Sequence, residues 1–305
     1  MYKQHHSLGD GVSIMNYHIG QGDTFDMEAL IPIRTVPFFK RMLIRLSFLF
    51  YVPRLALKFL KIKSGTNALH DGERKLSGRK VAGTSSDILF KDIKAASKYL
   101  GITINDLITA CLSTALKQYL ELKGDKATEA INIVIPANIR FQHYGSWERV
   151  KFENKFTAVP LRLPLNKDLK KSLEVIPHVT RHIRDEFIDI YATYAITYYY
   201  SMFAPYFFQN WAMKNSTKAF TLAFSNTPGL LKALTFEKTK KSIKNQFYFV
   251  PSAHTGMGLS CMSYVDYFKI TLTADDSIMK DPQTLLDLLE TNIKACYVGE
   301  TPPSK

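Results

Sequence analysis

Cysteine is scarce in this chain, with only Cys111, Cys261 and Cys296 among 305 residues. They stand far apart, are odd in number and lie in apolar sequence. That pattern argues against a disulfide framework and against a finger-type zinc site, and reads as small buried hydrophobes. A reducing, intracellular compartment is the simpler expectation. Acid is also in short supply: 27 Asp and Glu face 40 Lys and Arg, for a net charge of +13. Such a balance attracts anions. Zinc-finger spacing, an RNP-like aromatic box and a basic zipper are all missing, so nucleic acid ranks below an anionic membrane face or a phosphorylated cofactor such as coenzyme A. No apolar run reaches the roughly 18–20 residues of a membrane-crossing helix. Residues 1–11 are polar and His-rich, unlike a signal peptide. A Gly-x-Ser-x-Gly elbow and a phosphate-binding glycine loop are absent too.

What remains is apolar and aromatic. The chain is 46% hydrophobic, with 20 Phe and 16 Tyr, enough to bury a core in one large or two ordinary domains. "SIMNYHIGQGDTFDMEAL" opens as a helix behind an N-terminal loop. "VPFFKRMLIRLSFLFYVPRLALKFLKIK" (36–63) alternates apolar clusters with seven Lys and Arg and no acid. It suits either an anionic lipid interface or a crossover helix pair with its cations in water. Residues 64–86 are rich in Gly and Ser and read as a linker.

Beyond the linker, Ser86 or Asp87 can cap a helix whose buried face is Leu89, Ile93, Ala96 and Leu100, stopped by Gly101. Thr103 and Asp106 then make a capping-box variant ahead of Leu107, Cys111, Ala115 and Tyr119 at helical spacing. "INIVIPANIR" is a strand ended by Pro136, and "KFTAVPLRLPL" alternates like a half-buried strand. Residues 168–190 read as helix. The uncharged aromatic stretch 191–213, broken by Pro205, is a core helix by default, with a channel wall or membrane contact as alternatives. "AFTLAFSN", "FYFVP", "GLSCMSYV" and "YFKITLTAD" are strand-like, and Asp281 with Pro282 starts a last helix. The mixture indicates an α/β sandwich with a mixed sheet and flanking helices.

The densest polar constellation is "KQHHSLGDG" near the start. A histidine there can take a proton from a hydroxyl or thiol nucleophile. Asp10 can bond to an imidazole or pair with a cation, and Gly11 permits a close approach. The plain alternative is a solvated His-rich terminus. Adjacent histidines with no second ligand pair do not make a metal site, so none is expected. "SNTPG" (225–229) is a turn signal.

These residues resemble a known family. "HHSLGDG" is similar to the His-His-x-x-x-Asp-Gly motif of the coenzyme A-dependent acyltransferases, the superfamily of chloramphenicol acetyltransferase and the condensation domains. "TINDLITACLSTALKQYL", "IVIPANIR", "NKFTAVPLRLPL", "AFSNTPGL" and "GLSCMSYVDYFKITLTAD" follow in the order found in the wax ester synthase/diacylglycerol acyltransferase (WS/DGAT) family. The resemblance runs from residue 5 to about 297, with Glu153-Asn154 where that family has Gly-Asn.

The resemblance implies a chloramphenicol acetyltransferase-like two-layer sandwich. It implies transfer of a fatty acyl group from acyl-CoA, as co-substrate, to a long-chain alcohol or diacylglycerol, with no permanently bound cofactor. His6 would be the general base, His5 its support, Asp10 a structural ion-pair partner with Arg140 as the matching cation, and Gly11 a clear tunnel mouth. Asn105, Asp106, Ser225, Asn226, Pro228 and Gly229 complete the motif set, Asp106 fitting a helix cap at least as well as catalysis. Family members carry most of a lobe before the His-His motif, whereas Met1 precedes it here by four residues.

The expected organisation is therefore an incomplete first lobe (1–63), a linker (64–86), a C-terminal lobe (87–298) and a tail (299–305). The expected place is intracellular and peripheral to a membrane: endoplasmic reticulum, plasma membrane or lipid droplet. The alternatives are an acyltransferase for a smaller alcohol or amine, and a non-catalytic lipid- or membrane-binding remnant.

Overall fold

The structure, a computed structural model, describes residues 5–22, 65–71, 75–140, 150–185, 187–236, 241–244, 246–250 and 255–297, with a few positions between 37 and 50. Its centre is a mixed sheet of seven strands. They are β1 (Lys80–Thr84), β2 (Ile88–Leu89), β3 (Ala130–Asn138), β4 (Phe156–Pro164), β5 (Leu222–Thr227), β8 (Met257–Tyr264) and β9 (Tyr267–Asp275), with a separate hairpin of β6 (Thr235–Phe236) and β7 (Lys241–Ser242). The order is β1-β9-β8-β5-β3-β4, with β2 also on β9. Strands β3, β5 and β8 run parallel, and the other pairings are antiparallel.

The helices are α1 (Gly11–Gly20), α2 (Phe90–Leu100), α3 (Ile104–Leu122), α4 (Leu169–Asp185), α5 (Phe187–Phe203), α6 (Tyr206–Thr217) and α7 (Pro282–Lys294). One face of the sheet carries α3 between α4 and α7. Ile131, Ile133, Phe224, Leu259 and Leu272 of the strands pack there against Leu107, Cys111, Leu116 and Leu289. Helix α3 is apolar almost all round, as a helix buried inside a layer must be. Its start is built locally: Thr103 accepts from the Asp106 amide at 3.1 Å, and the Asp106 carboxylate accepts the Thr103 amide at 3.2 Å. Just ahead of that start, α2 stops where Gly101 takes φ +66°, a left-handed turn that costs glycine nothing. A smaller cluster covers the opposite face of β8, where Met15 and Ile19 of α1 meet Leu230, Leu234, Met262 and Tyr264.

Four expectations need correction. Residues 64–86 are more than a linker, because Lys80–Thr84 pair along β9 from Asp275 to Thr271. The α2 cap is neither Ser86 nor Asp87: Leu89 occupies that position after Ile88 and Leu89 pair with β9, and the side chain of Leu89 is exposed. Strand β3 continues through Pro136 to Asn138. Strand β5 is registered against it only at Ile133 and Val134, so the proline nitrogen interrupts no ladder on that side. Among the described side chains the aromatic stretch is core at its start, where Ala192 and Ala195 are buried just after Ile190. Met202, Phe203, Tyr206, Phe207 and Trp211, around the break at Pro205, are exposed. Among the described residues no single helix is long and apolar enough to cross a membrane. The basic stretch 36–63 lies almost wholly outside the described residues. Of its apolar members, Phe38, Phe39, Leu43, Leu46 and Phe50 are exposed.

Candidate active site

Parallel strands β3 and β5 end together, and β4 starts beside the end of β3. In open α/β sheets the carboxyl ends of such strands form the natural crevice for a ligand. The His-rich loop is fastened at this border.

Asp10 does the fastening. It caps α1 by accepting the Ser13 amide at 2.9 Å. Its second carboxylate oxygen accepts Arg140 Nη1 at 2.8 Å and the Lys155 amide at 2.7 Å. Arg140 follows directly on β3. Its Nη1 also donates to Asn138 Oδ1 at 3.1 Å and its Nη2 to Ser13 Oγ at 2.7 Å. The Ser13 hydroxyl in turn donates to the Glu153 carbonyl at 2.8 Å. Asp10 and Arg140 are each about 4% exposed. Two buried charges are tolerable only when paired and fully hydrogen-bonded, and this pair is both. Tyr17 against Phe152, at 4.7 Å between ring centroids, closes the seam between α1 and the segment leading into β4.

His5 and His6 sit on a turn above this latch, both exposed. His5 Nδ1 lies 2.7 Å from Ser7 Oγ. The His6 carbonyl accepts Asn154 Nδ2 at 3.0 Å, and its ring leans on Phe156, the first residue of β4, at 5.6 Å. The backbone is thus held while the imidazole stays open to an incoming group. Gly11 is the first residue of α1, and a Cβ there would meet nothing within 4 Å.

The remaining motif residues divide. Asn105, exposed at the start of α3, accepts Asn226 Nδ2 at 3.3 Å, which brings two separate motifs together at the end of β5. Since β3 lies between β4 and β5, this amide pair stands about two strand spacings, or roughly 10 Å, from the strand beneath His6. Asp106 turns away from that border. It is buried, closes the capping box and takes a hydrogen bond from Thr180 of α4. Ser225 and Thr227 both bond to the Tyr248 hydroxyl, at 2.8 and 2.7 Å. Burial pushes the Tyr248 phenol above its ordinary value, against the pull of those two hydroxyls, so it stays protonated. Pro228 is exposed, and Gly229 lies against β8, where a Cβ would fall 1.5 Å from the Ser263 carbonyl oxygen.

Sequence reasoning passed over Ser13, Asn138, Lys155 and Tyr248. Ser13 had a local signal, three residues past a helix-capping aspartate. Asn138 serves Arg140 only two residues on, whereas Lys155 and Tyr248 act on residues well away in sequence, and no spacing announces them. Among the described residues no group of three or more His, Cys, Asp or Glu could hold a metal ion.

Residues 152–296 match the family model of the WS/DGAT C-terminal domain. A Mycobacterium tuberculosis protein (strain H37Rv), named as a candidate diacylglycerol O-acyltransferase, is 25% identical over 198 residues, which are 63% of this chain. That match spans 40% of the relative's own length. The wax ester synthase/diacylglycerol acyltransferase of Marinobacter aquaeolei VT8 shares the fold at a TM-score of 0.57 and 18% identity, covering 96% of this chain and 65% of that one. The starter condensation domain of rhizomide synthetase, solved with C8-CoA and Leu-SNAC, is similar at a TM-score of 0.52 and 12% identity, covering 94% of this chain and 62% of that one. The sheet is therefore of the chloramphenicol acetyltransferase-like kind, and over residues 152–296 the chain is similar to the C-terminal domain of the wax ester synthase/diacylglycerol acyltransferase family.

Proposed function

We propose that the chain moves a fatty acyl group from acyl-CoA to a long-chain alcohol or diacylglycerol, with His6 as general base. The acceptor hydroxyl gives its proton to the imidazole as its oxygen attacks the thioester carbonyl carbon. The carbon–sulfur bond breaks, and the CoA thiolate takes the proton back from His6. His5 supports the turn through Ser7. Asp10 and Arg140 hold the loop and take no part in the proton transfer. The Asn105–Asn226 pair offers amide hydrogen-bonding groups at the neighbouring strand end.

The observation that carries this reading is the Asp10–Arg140 latch, which fixes a His-His turn at the carboxyl border of the sheet. The family similarity over residues 152–296 and the CoA bound by a similarly folded condensation domain support the class of co-substrate. A net charge of +13 suits a polyanionic co-substrate and an anionic lipid face. The same charge, with the exposed aromatic corner at Pro205, supports an intracellular site on the surface of a membrane or lipid droplet.

The test is to supply the full chain with palmitoyl-CoA and either hexadecanol or dioleoylglycerol, and to follow CoA release and ester formation. His6→Ala should lose about 10²- to 10⁴-fold in rate, the range for a general base. An unchanged rate in that variant removes His6 from the chemistry. A second reading, binding of lipid surfaces without turnover, is favoured by the exposed Phe203, Tyr206, Phe207 and Trp211. It prevails if the chain floats with anionic vesicles and releases no CoA with either acceptor.

A further inference from the structure

Two of the three cysteines touch. Cys111 Sγ, at the centre of α3, lies 3.7 Å from Cys296 Sγ, just past the end of α7 and 185 residues further along the chain. Both are fully buried in the helical layer. We propose that Cys111 and Cys296 are a peroxide-responsive pair that closes reversibly into a disulfide.

The two sulfurs need only draw together from contact to about 2.05 Å. Cys296 lies beyond Lys294, the last residue of α7, in a turn, whereas Cys111 stands mid-helix, so the shorter adjustment falls to Cys296. The same helix end is where local opening would admit a small oxidant to a buried thiol. The surroundings also assign the order of events. Burial raises the Cys111 thiol well above its ordinary value, while the hydrogen bond between the two sulfurs lowers that of Cys296. Cys296 is thus the more readily deprotonated of the two, and its thiolate form is the nucleophile. It attacks one oxygen of hydrogen peroxide, the O–O bond breaks, and Cys296 becomes a sulfenic acid as hydroxide leaves and is protonated. The Cys111 sulfur attacks the sulfenic sulfur and expels the second oxygen as water. Two thiols are oxidised, and one peroxide is reduced to two waters. An excess of small thiol returns the pair to the reduced state. Cys261, on β8, has its thiol pushed up by burial and is not in this contact.

The device does not depend on the acyl-transfer reading, because its readout is covalent. The native full chain is treated with hydrogen peroxide, quenched with catalase, denatured with iodoacetamide and digested for mass spectrometry. The expected result is a linked pair of peptides holding Cys111 and Cys296, 2 Da lighter than their reduced sum, with Cys261 alkylated. Dithiothreitol should remove the link. In Cys111→Ser the second step has no partner, so dimedone should trap Cys296 as the sulfenic acid. The proposal is overturned if both thiols stay alkylatable at peroxide levels that fully oxidise free glutathione. It is equally overturned if the link joins two chains or involves Cys261.

Discussion

Arg140 has the most to lose by substitution. Its guanidinium joins a buried carboxylate, a serine hydroxyl and the carbonyls of the segment entering β4. Arg140→Ala would leave Asp10 charged, buried and without its cation. Breaking one half of such a pair costs about 3–5 kcal/mol, so the urea midpoint should drop sharply. A midpoint within error of the parent would mean that α1 is not held by this contact. Asp275 teaches a different lesson. Burial alone would raise its carboxyl, but bonds from Ser277, Ser77 and Lys80 outweigh that and hold it well below the usual carboxylate range. A depressed carboxylate stabilises the fold above its unfolded pKa, near 3.9, and that contribution fades as the pH falls below it. Asp275→Asn should therefore be clearly less stable than the parent at pH 7. The gap should narrow between about pH 4 and pH 2 in unfolding curves, and a constant gap would show that charge is not what matters there. Gly229 is dictated by space alone. With the Ser263 oxygen where a Cβ would go, Gly229→Ala must push the turn after β5 away from β8, and its melting temperature should fall by several degrees.

Among the elements, α3 announces itself most fully in the sequence. Thr103 and Asp106 stand at capping-box spacing, Gly101 stops the helix before, and the apolar positions recur at helical intervals, so start and buried face were both legible. The structure adds only that Asp106 reaches Thr180 of α4. Thr103→Ala should cost about 1 kcal/mol, and Asp106→Ala more, because it loses a contact between helices as well as a cap. Equal losses, measured by denaturant unfolding, would make the Thr180 bond idle. Strand β1 was illegible for a physical reason. Its sequence, KVAGT, is short, carries a glycine and owes its form to β9, nearly 200 residues later. Propensity cannot report a partner that distant. The candidate site divides in the same way. The histidine turn and its aspartate could be read locally, as could the individual motifs. That Asn105 meets Asn226, and that Tyr248 braces Ser225 and Thr227, follows only from strand order.

At the scale of the whole molecule, cations outnumber acids and an aromatic corner faces outward at the junction of α5 and α6. These two properties should act together on vesicles. Flotation with phosphatidylserine-containing vesicles should weaken as salt rises, since surface charge is screened. Phe207→Ser together with Trp211→Ser should weaken it further at any salt. Binding unchanged by both substitutions would place the lipid contact elsewhere. The sheet has a further consequence, at its border. Strand β4 is the last in the order, and an outermost strand invites a second molecule to continue the ladder. In nine residues it carries Pro160 and Pro164, which have no N–H to lend, and an exposed Arg162 that any newcomer would have to strip of water. That border thus carries its own guard against a strand added from a second molecule, even though so much aromatic surface is on show nearby.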